Sequence, residues 1–126
     1  MDHITHFKIK RMSPQLLVAD VDRSVEFYTK ELDFDVDFRY EDFYAGIIKD
    51  GCSIHLKEGS PSVNEGMRKG DDEHFDIVFS VEGIDDLYKE ISRRSVEIVQ
   101  PLRSMPYGKE FYFADPDGHV IAFLET

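Results

Sequence analysis

The sequence predicts an α+β protein built as two βαβββ modules in tandem within one domain, residues 1–126. Three observations predict it. The chain closes with a β-hairpin, in which the apolar runs 111–114 and 120–124 flank Asp115-Pro116-Asp117-Gly118. Pro presets φ for a tight turn and Gly takes the positive φ that follows. A second hairpin of the same design spans residues 44–57 and turns at Asp50-Gly51. Finally, the pattern that precedes the first hairpin returns before the last one. An offset of 63 residues lays Val18 on Val81, Val21 on Ile84 and Asp22 on Asp85.

Taken in order, residues 1–11 are polar and mildly basic and form an arm or an added edge strand. Module one covers 12–57. Its first strand is the apolar run 14–19, and Asp20 and Asp22 supply helix-capping chemistry, with Asp22 the expected N-cap. Val25, Tyr28 and Leu32 recur at helical spacing, so residues 22–32 form an amphipathic helix. Phe34, Val36, Phe38 and Tyr40 alternate with charged residues as a strand, and the first hairpin follows. Residues 58–73 are rich in Gly, Ser and charge without periodicity, which marks a linker. Module two covers 74–126. It repeats the order with a strand over 74–81, a helix over 84–94, a short strand over 96–101 stopped by Pro101, a loop over 104–109 and the closing hairpin.

Composition excludes several classes. A net charge of −11 argues against nucleic acid or an anionic membrane as partner, and favours a cationic ligand if charge has a role. A single Cys excludes an internal disulfide and fits a reducing cytoplasm. No signal-peptide pattern and no membrane-spanning apolar run is present, so a cytoplasmic protein is expected.

Strand alternation sorts side chains into a helix-facing set and an open-face set. Cys52, Ile54 and Leu56 fall under the helix, leaving Ser53, His55 and Lys57 on the open face. In module two, Phe75, Ile77, Phe79 and Val81 face the helix, and His74, Asp76, Val78 and Ser80 face away. Ser13, Gln15 and Leu17 share the open face of the first strand, and Val120, Ala122 and Leu124 that of the last, with Glu125 opposite. Paired modules of this kind carry each helix outside a curved sheet and leave a concave face for a ligand. His119 follows a turn glycine and is expected to be solvated, and Cys52 is expected to be inert core.

The run from Leu16 to Tyr28, the closing Asp115-Pro-Asp-Gly-His119 and the doubled βαβββ order resemble the vicinal-oxygen-chelate superfamily. That superfamily includes glyoxalase I, fosfomycin-resistance thiol transferases, extradiol dioxygenases and bleomycin-resistance proteins. The resemblance implies curved mixed sheets around a cavity, the glyoxalase/bleomycin-resistance fold, and a homodimer. Metal enzymes of the superfamily carry His, Gln or Glu at four equivalent positions, which here hold Ser13, His55, Asp76 and Ala122. Ala122 offers no donor and Ser13 is a poor ligand, so no metal cofactor is expected; if one were present, His55, Asp76 and His74 would hold it. The departure points to a bleomycin-resistance-like protein that sequesters a hydrophobic or cationic small molecule without chemistry. The expected ligand-binding residues are Gln15, His55, Asp76, Tyr112, Ser13 and Tyr44, with Phe38, Tyr40 and Tyr107 as further stacking surfaces. The alternative is a metal-dependent lyase or thiol transferase of the glyoxalase I or fosfomycin-resistance type.

Overall fold

The computed structural model of the chain describes Ile4, residues 6–59 and residues 74–126. Module one runs β1 (Gln15–Val18), α1 (Val21–Leu32), β2 (Asp35–Tyr40), β3 (Tyr44–Lys49) and β4 (Cys52–Glu58). Module two runs β5 (Ile77–Ser80), α2 (Ile84–Ser92), β6 (Glu97–Met105), β7 (Gly108–Ala114) and β8 (Val120–Glu125). Each module forms a four-stranded mixed sheet, in the orders β1-β4-β3-β2 and β5-β8-β7-β6. The first strand of each module pairs parallel with the last. The duplication holds in register: Gln15 lies opposite His55, and Val78, 63 residues on, lies opposite Ala122, which is 67 residues beyond His55. Of the expected linker, Glu58 ends β4, and residues 60–73 lie outside the described residues.

The helices begin as their sequences require, with one exchange of roles. Asp20, not Asp22, caps α1, because its extended backbone lets the carboxylate accept the Arg23 N–H at 3.2 Å. Asp22 sits in the first turn, where it favours the helix dipole and pairs with Arg39 at 2.8 Å. The N-cap of α2 is Gly83, which has no side chain to offer. Glu125 from β8 substitutes, accepting the N–H groups of Ile84 at 2.9 Å and Gly83 at 3.2 Å.

Three strands depart from simple alternation. In β2 the register shifts between Val36 and Phe38, so Val36 lies opposite the core residue Ile47 while Phe38 lies opposite Gly46 on the open face. In β6 two such shifts carry the strand past Pro101 to Met105. Proline is tolerated there because β6 is an edge strand, and the expected loop shrinks to a turn at Pro106-Tyr107. β5 starts only at Ile77, and Phe75, released from the ladder, turns its ring to Tyr112 at 5.4 Å instead of facing the helix.

The helix-facing residues of both sheets merge into one core, joined by ring contacts Phe34–Phe79 at 6.1 Å and Phe27–Phe113 at 6.4 Å. α1 therefore lies at the joint between the modules, not outside it. The β7–β8 turn docks on the start of this helix. Asp117 accepts from the Ala19 N–H at 3.0 Å, Arg23 at 2.9 Å and the Ser24 hydroxyl at 3.3 Å. Tyr28 donates its hydroxyl to Asp115 at 2.8 Å. His119 is buried, where solvation was expected, and its Nε2 meets the Leu17 carbonyl at 2.7 Å. Burial raises the Asp115 carboxyl above its ordinary 3.8, in spite of His119 and the Tyr28 hydroxyl, and pushes the Tyr28 phenol well above 10. Among the described residues no helix is long and apolar enough to cross a membrane.

Candidate functional site: two open sheet faces

The surface that each sheet turns away from the shared core carries the expected site residues, divided between the modules. On the first sheet, Ile54 and Leu56 are fully buried in the core and His55 lies on the other side, as alternation requires. Cys52 breaks the pattern. It is exposed, because it opens β4 beside a two-residue turn beyond the cover of α1.

His55, Tyr44 and Gln15 form a hydrogen-bonded row across β4, β3 and β1. The Tyr44 hydroxyl lies 2.8 Å from His55 Nδ1 and 3.2 Å from Gln15 Oε1. A single direction satisfies all three groups: His55 Nδ1–H donates to Tyr44, and Tyr44 donates to Gln15. With the ring neutral, this tautomer turns Nε2 outward as an acceptor. Phe38 stands edge-on to both rings, at 5.1 Å from His55 and 5.7 Å from Tyr44. It can lie there only because Gly46 beneath it has no Cβ. Ser13 spends its hydroxyl on Ser53. The N-terminal arm, tied to β2 by Arg11–Asp37 at 2.8 Å, borders a concavity of about 760 Å³ lined by Lys8, Ile9, Lys10, Arg11, Ser13 and His55. Basic charge beside His55 is not what the overall −11 suggests.

On the second sheet, Tyr112, Val120 and Ala122 form a small buried cluster of their own. Tyr112 belongs to a network that sequence reasoning missed, centred on Glu110, which is only 4% exposed. Glu110 accepts from Arg103 Nε at 2.9 Å and Nη2 at 2.6 Å, from Tyr107 at 2.7 Å and from Tyr112 at 3.2 Å. The Arg103 guanidinium also lies over the Tyr112 ring, 5.7 Å from its centre. Burial alone would raise the Glu110 carboxyl, but the Tyr107 and Arg103 hydrogen bonds and the Arg103 charge prevail and hold it below 4.5. The hydrogen bond to Glu110 pushes the Tyr107 phenol up to about 12, and burial followed by the Glu110 charge raises that of Tyr112. One signal was available: Glu110 stands two residues before Tyr112 on the same strand, and hence on the same face.

Asp76 is engaged at the start of this sheet. Its Oδ2 accepts the Val120 N–H at 2.9 Å, and His74 Nε2 lies 3.6 Å from Oδ1. His119 Nδ1 approaches Oδ2 at 4.0 Å. Thus Gln15, Tyr44 and His55 are brought together, His74 and Asp76 are brought together, and Tyr112 joins Arg103 and Glu110 instead. The four superfamily metal positions do not fit a metal ion. Ala122 carries no donor and the Ser13 hydroxyl is bonded to Ser53, which leaves His55 and Asp76, fewer than the roughly three protein ligands a divalent ion needs. Among the described residues no group of three or more His, Cys, Asp or Glu side chains is placed to hold one.

Comparison with known proteins agrees with this architecture. A bleomycin resistance protein from Geobacillus stearothermophilus is 30% identical over 129 aligned residues, covering 89% of this chain and 93% of the relative. Among solved structures, TioX from Micromonospora sp. ML1 superposes with a TM-score of 0.71 at 21% identity, covering 93% of this chain and 96% of that one. TnmS3, an antibiotic binding protein from Streptomyces sp. CB03234, superposes with a TM-score of 0.72 at 18% identity, covering 95% and 98%. A family model matches residues 1–123, and the chain belongs to the glyoxalase/bleomycin resistance protein/dioxygenase superfamily.

Proposed function

We propose that the chain is a cytoplasmic homodimeric binding protein that sequesters a flat hydrophobic small molecule, cationic or neutral, without metal chemistry. The observation that carries the reading is the pair of ring clusters on the open faces. Phe38, Tyr44 and His55 form one, and Phe75 and Tyr112 under Arg103 form the other. Rings held edge-on by neighbours are preorganised to stack on a planar ligand. The two faces turn away from one shared core, so a ligand enclosed by both needs the open face of a second chain. The exposed Leu17 and Val78 on these faces support such a contact. His55 Nε2 would accept from a ligand N–H or O–H, and Asp76 with His74 would meet a positive group, while Lys8, Lys10 and Arg11 oppose a strongly cationic ligand on the first face. The bleomycin resistance and antibiotic-binding relatives support the ligand class.

Light scattering and calorimetric titration test this. The protein is expected to elute as a dimer and to bind metal-free bleomycin or a planar polycyclic antibiotic. Tyr112→Leu should weaken that binding by up to about tenfold. A monomer that binds neither compound would overturn the proposal.

A further inference from the structure

The two modules meet at a joint with approximate twofold symmetry, and only one side of that joint is filled. On the filled side, the five residues between β7 and β8 reach α1, where Ser24 and Tyr28 receive Asp117 and Asp115. The 63-residue offset makes Leu87 and Ile91 of α2 the counterparts of Ser24 and Tyr28. The turn facing them, between β3 and β4, has only two residues, Asp50 and Gly51. Asp117 docks on the start of α1, which Asp20 caps, whereas the N-terminus of α2 is capped from β8 by Glu125. What the short turn leaves is a cleft of about 710 Å³.

Its floor is apolar and aromatic: Phe34 from module one, and Phe79, Leu87, Ile91 and Phe123 from module two. Where the filled side has a hydroxyl from serine and one from tyrosine, this side has two aliphatic side chains. The rim carries Asp50, Glu82 and Lys49, and among the described residues none of the three enters an ion pair. Two carboxylates against one ammonium, in a chain of net charge −11, favour a positive guest. Three phenylalanine rings among the lining residues favour it further.

From this we infer that the unfilled side of the module joint is a second binding site, separate from the open sheet faces, for a hydrophobic cation: an aromatic or alicyclic body carrying a single positive charge. A cleft of this volume is within the range of small-molecule sites. The site does not depend on the function proposed for the open faces.

Cys52, exposed at the rim, is a local reporter. The experiment measures its alkylation by neutral iodoacetamide in the presence of tetraphenylphosphonium or of tetraphenylborate, which has nearly the same shape and the opposite charge. At roughly ten times its dissociation constant, the phosphonium is expected to slow alkylation about tenfold, and the borate to have no such effect. Leu87→Trp, which fills the cleft, should abolish protection. Asp50→Asn with Glu82→Gln should raise the concentration required by roughly fivefold, and Tyr112→Leu should leave protection intact. Asparagine suits position 50 because Asp50 already holds a φ of 50°. Absence of protection, equal protection by the borate, or protection lost in Tyr112→Leu and retained in Leu87→Trp would each overturn the assignment. If Leu87→Trp does not fold, the paired charge variant decides: unchanged protection overturns the site and weakened protection sustains it.

Discussion

Replacing Glu110 by alanine tests whether one buried carboxylate organises the second open face. Glu110 takes four donor contacts from Arg103, Tyr107 and Tyr112. Breaking one side of a fully buried ion pair costs about 3–5 kcal/mol. An exposed pair is worth about 0.2–1 kcal/mol. This pair lies between, since Glu110 has a side-chain exposure of 5% while Arg103 keeps 25% and can partly resolvate. The expected loss for Glu110→Ala is therefore about 2 kcal/mol, or a fall of roughly 6–10 °C in Tm for a chain of this size. Urea unfolding of Glu110→Ala, Arg103→Met and the double variant should give a coupling energy above about 1 kcal/mol. A pH series adds an independent readout. The folded carboxyl titrates below 4.5, so on acidification the unfolded chain binds its proton first. The stability that Glu110 contributes is thus present above pH 4.5 and lost as pH falls through the lower folded value. The gap between the native protein and Glu110→Gln should be widest near neutrality and close in acid. A Glu110→Ala variant within about 0.5 kcal/mol of the native protein, or parallel acid limbs for native and Glu110→Gln, would refute the reasoning.

Other substitutions probe the remaining parts. Gly46→Ala places a methyl where the Phe38 ring lies, and should cost about 1–3 kcal/mol and move the His55 ring resonances; Phe38→Ala should restore most of the loss. Tyr28→Phe removes a hydroxyl donor from the buried Asp115 carboxylate, at an expected cost of about 1–3 kcal/mol by denaturant unfolding. Because the Asp115 carboxyl is already raised above 3.8 and would climb further, that cost should grow as pH rises from 4 toward 7 and shrink on acidification. Equal losses at both pH values would count against the hydrogen bond as the cause. Glu125→Ala uncaps α2 and should cost about 1 kcal/mol, with faster amide exchange at Gly83 and Ile84.

The fold was legible because duplication constrains it twice. The offsets of 63 and 67 that align the two halves reappear as the registers Gln15–His55 and Val78–Ala122. Glu125, assigned by alternation to the helix side, is found capping a helix there. What alternation cannot see is a register shift. One in β2 brings Phe38 to the open face, and two in β6 bring Arg103 within reach of Glu110. A strand ended at Pro101 leaves that arginine outside the sheet and its partner looking like a solvated charge. His119 was misjudged for a different reason. A turn glycine before it suggests solvent, and only the second module's docking on β1 supplies the Leu17 carbonyl that buries it.

The docking of the last turn on the first helix also sets an order of events during synthesis. Tyr28 and Asp115 are 87 residues apart, and His119 and Leu17 are 102 apart. Contacts this distant in sequence are late and slow to form. While a ribosome is still making the chain, α1 has its own sheet and its Asp20 cap but not the Asp117 and Asp115 carboxylates that bind Ser24 and Tyr28, and the side of it that meets module two faces solvent. Module one must therefore wait, partly uncovered, until the β7–β8 turn emerges. The nascent chain is most exposed to misassociation in that interval, and a stop codon placed just before Asp115 should leave a helix without its dock rather than a smaller version of the same protein.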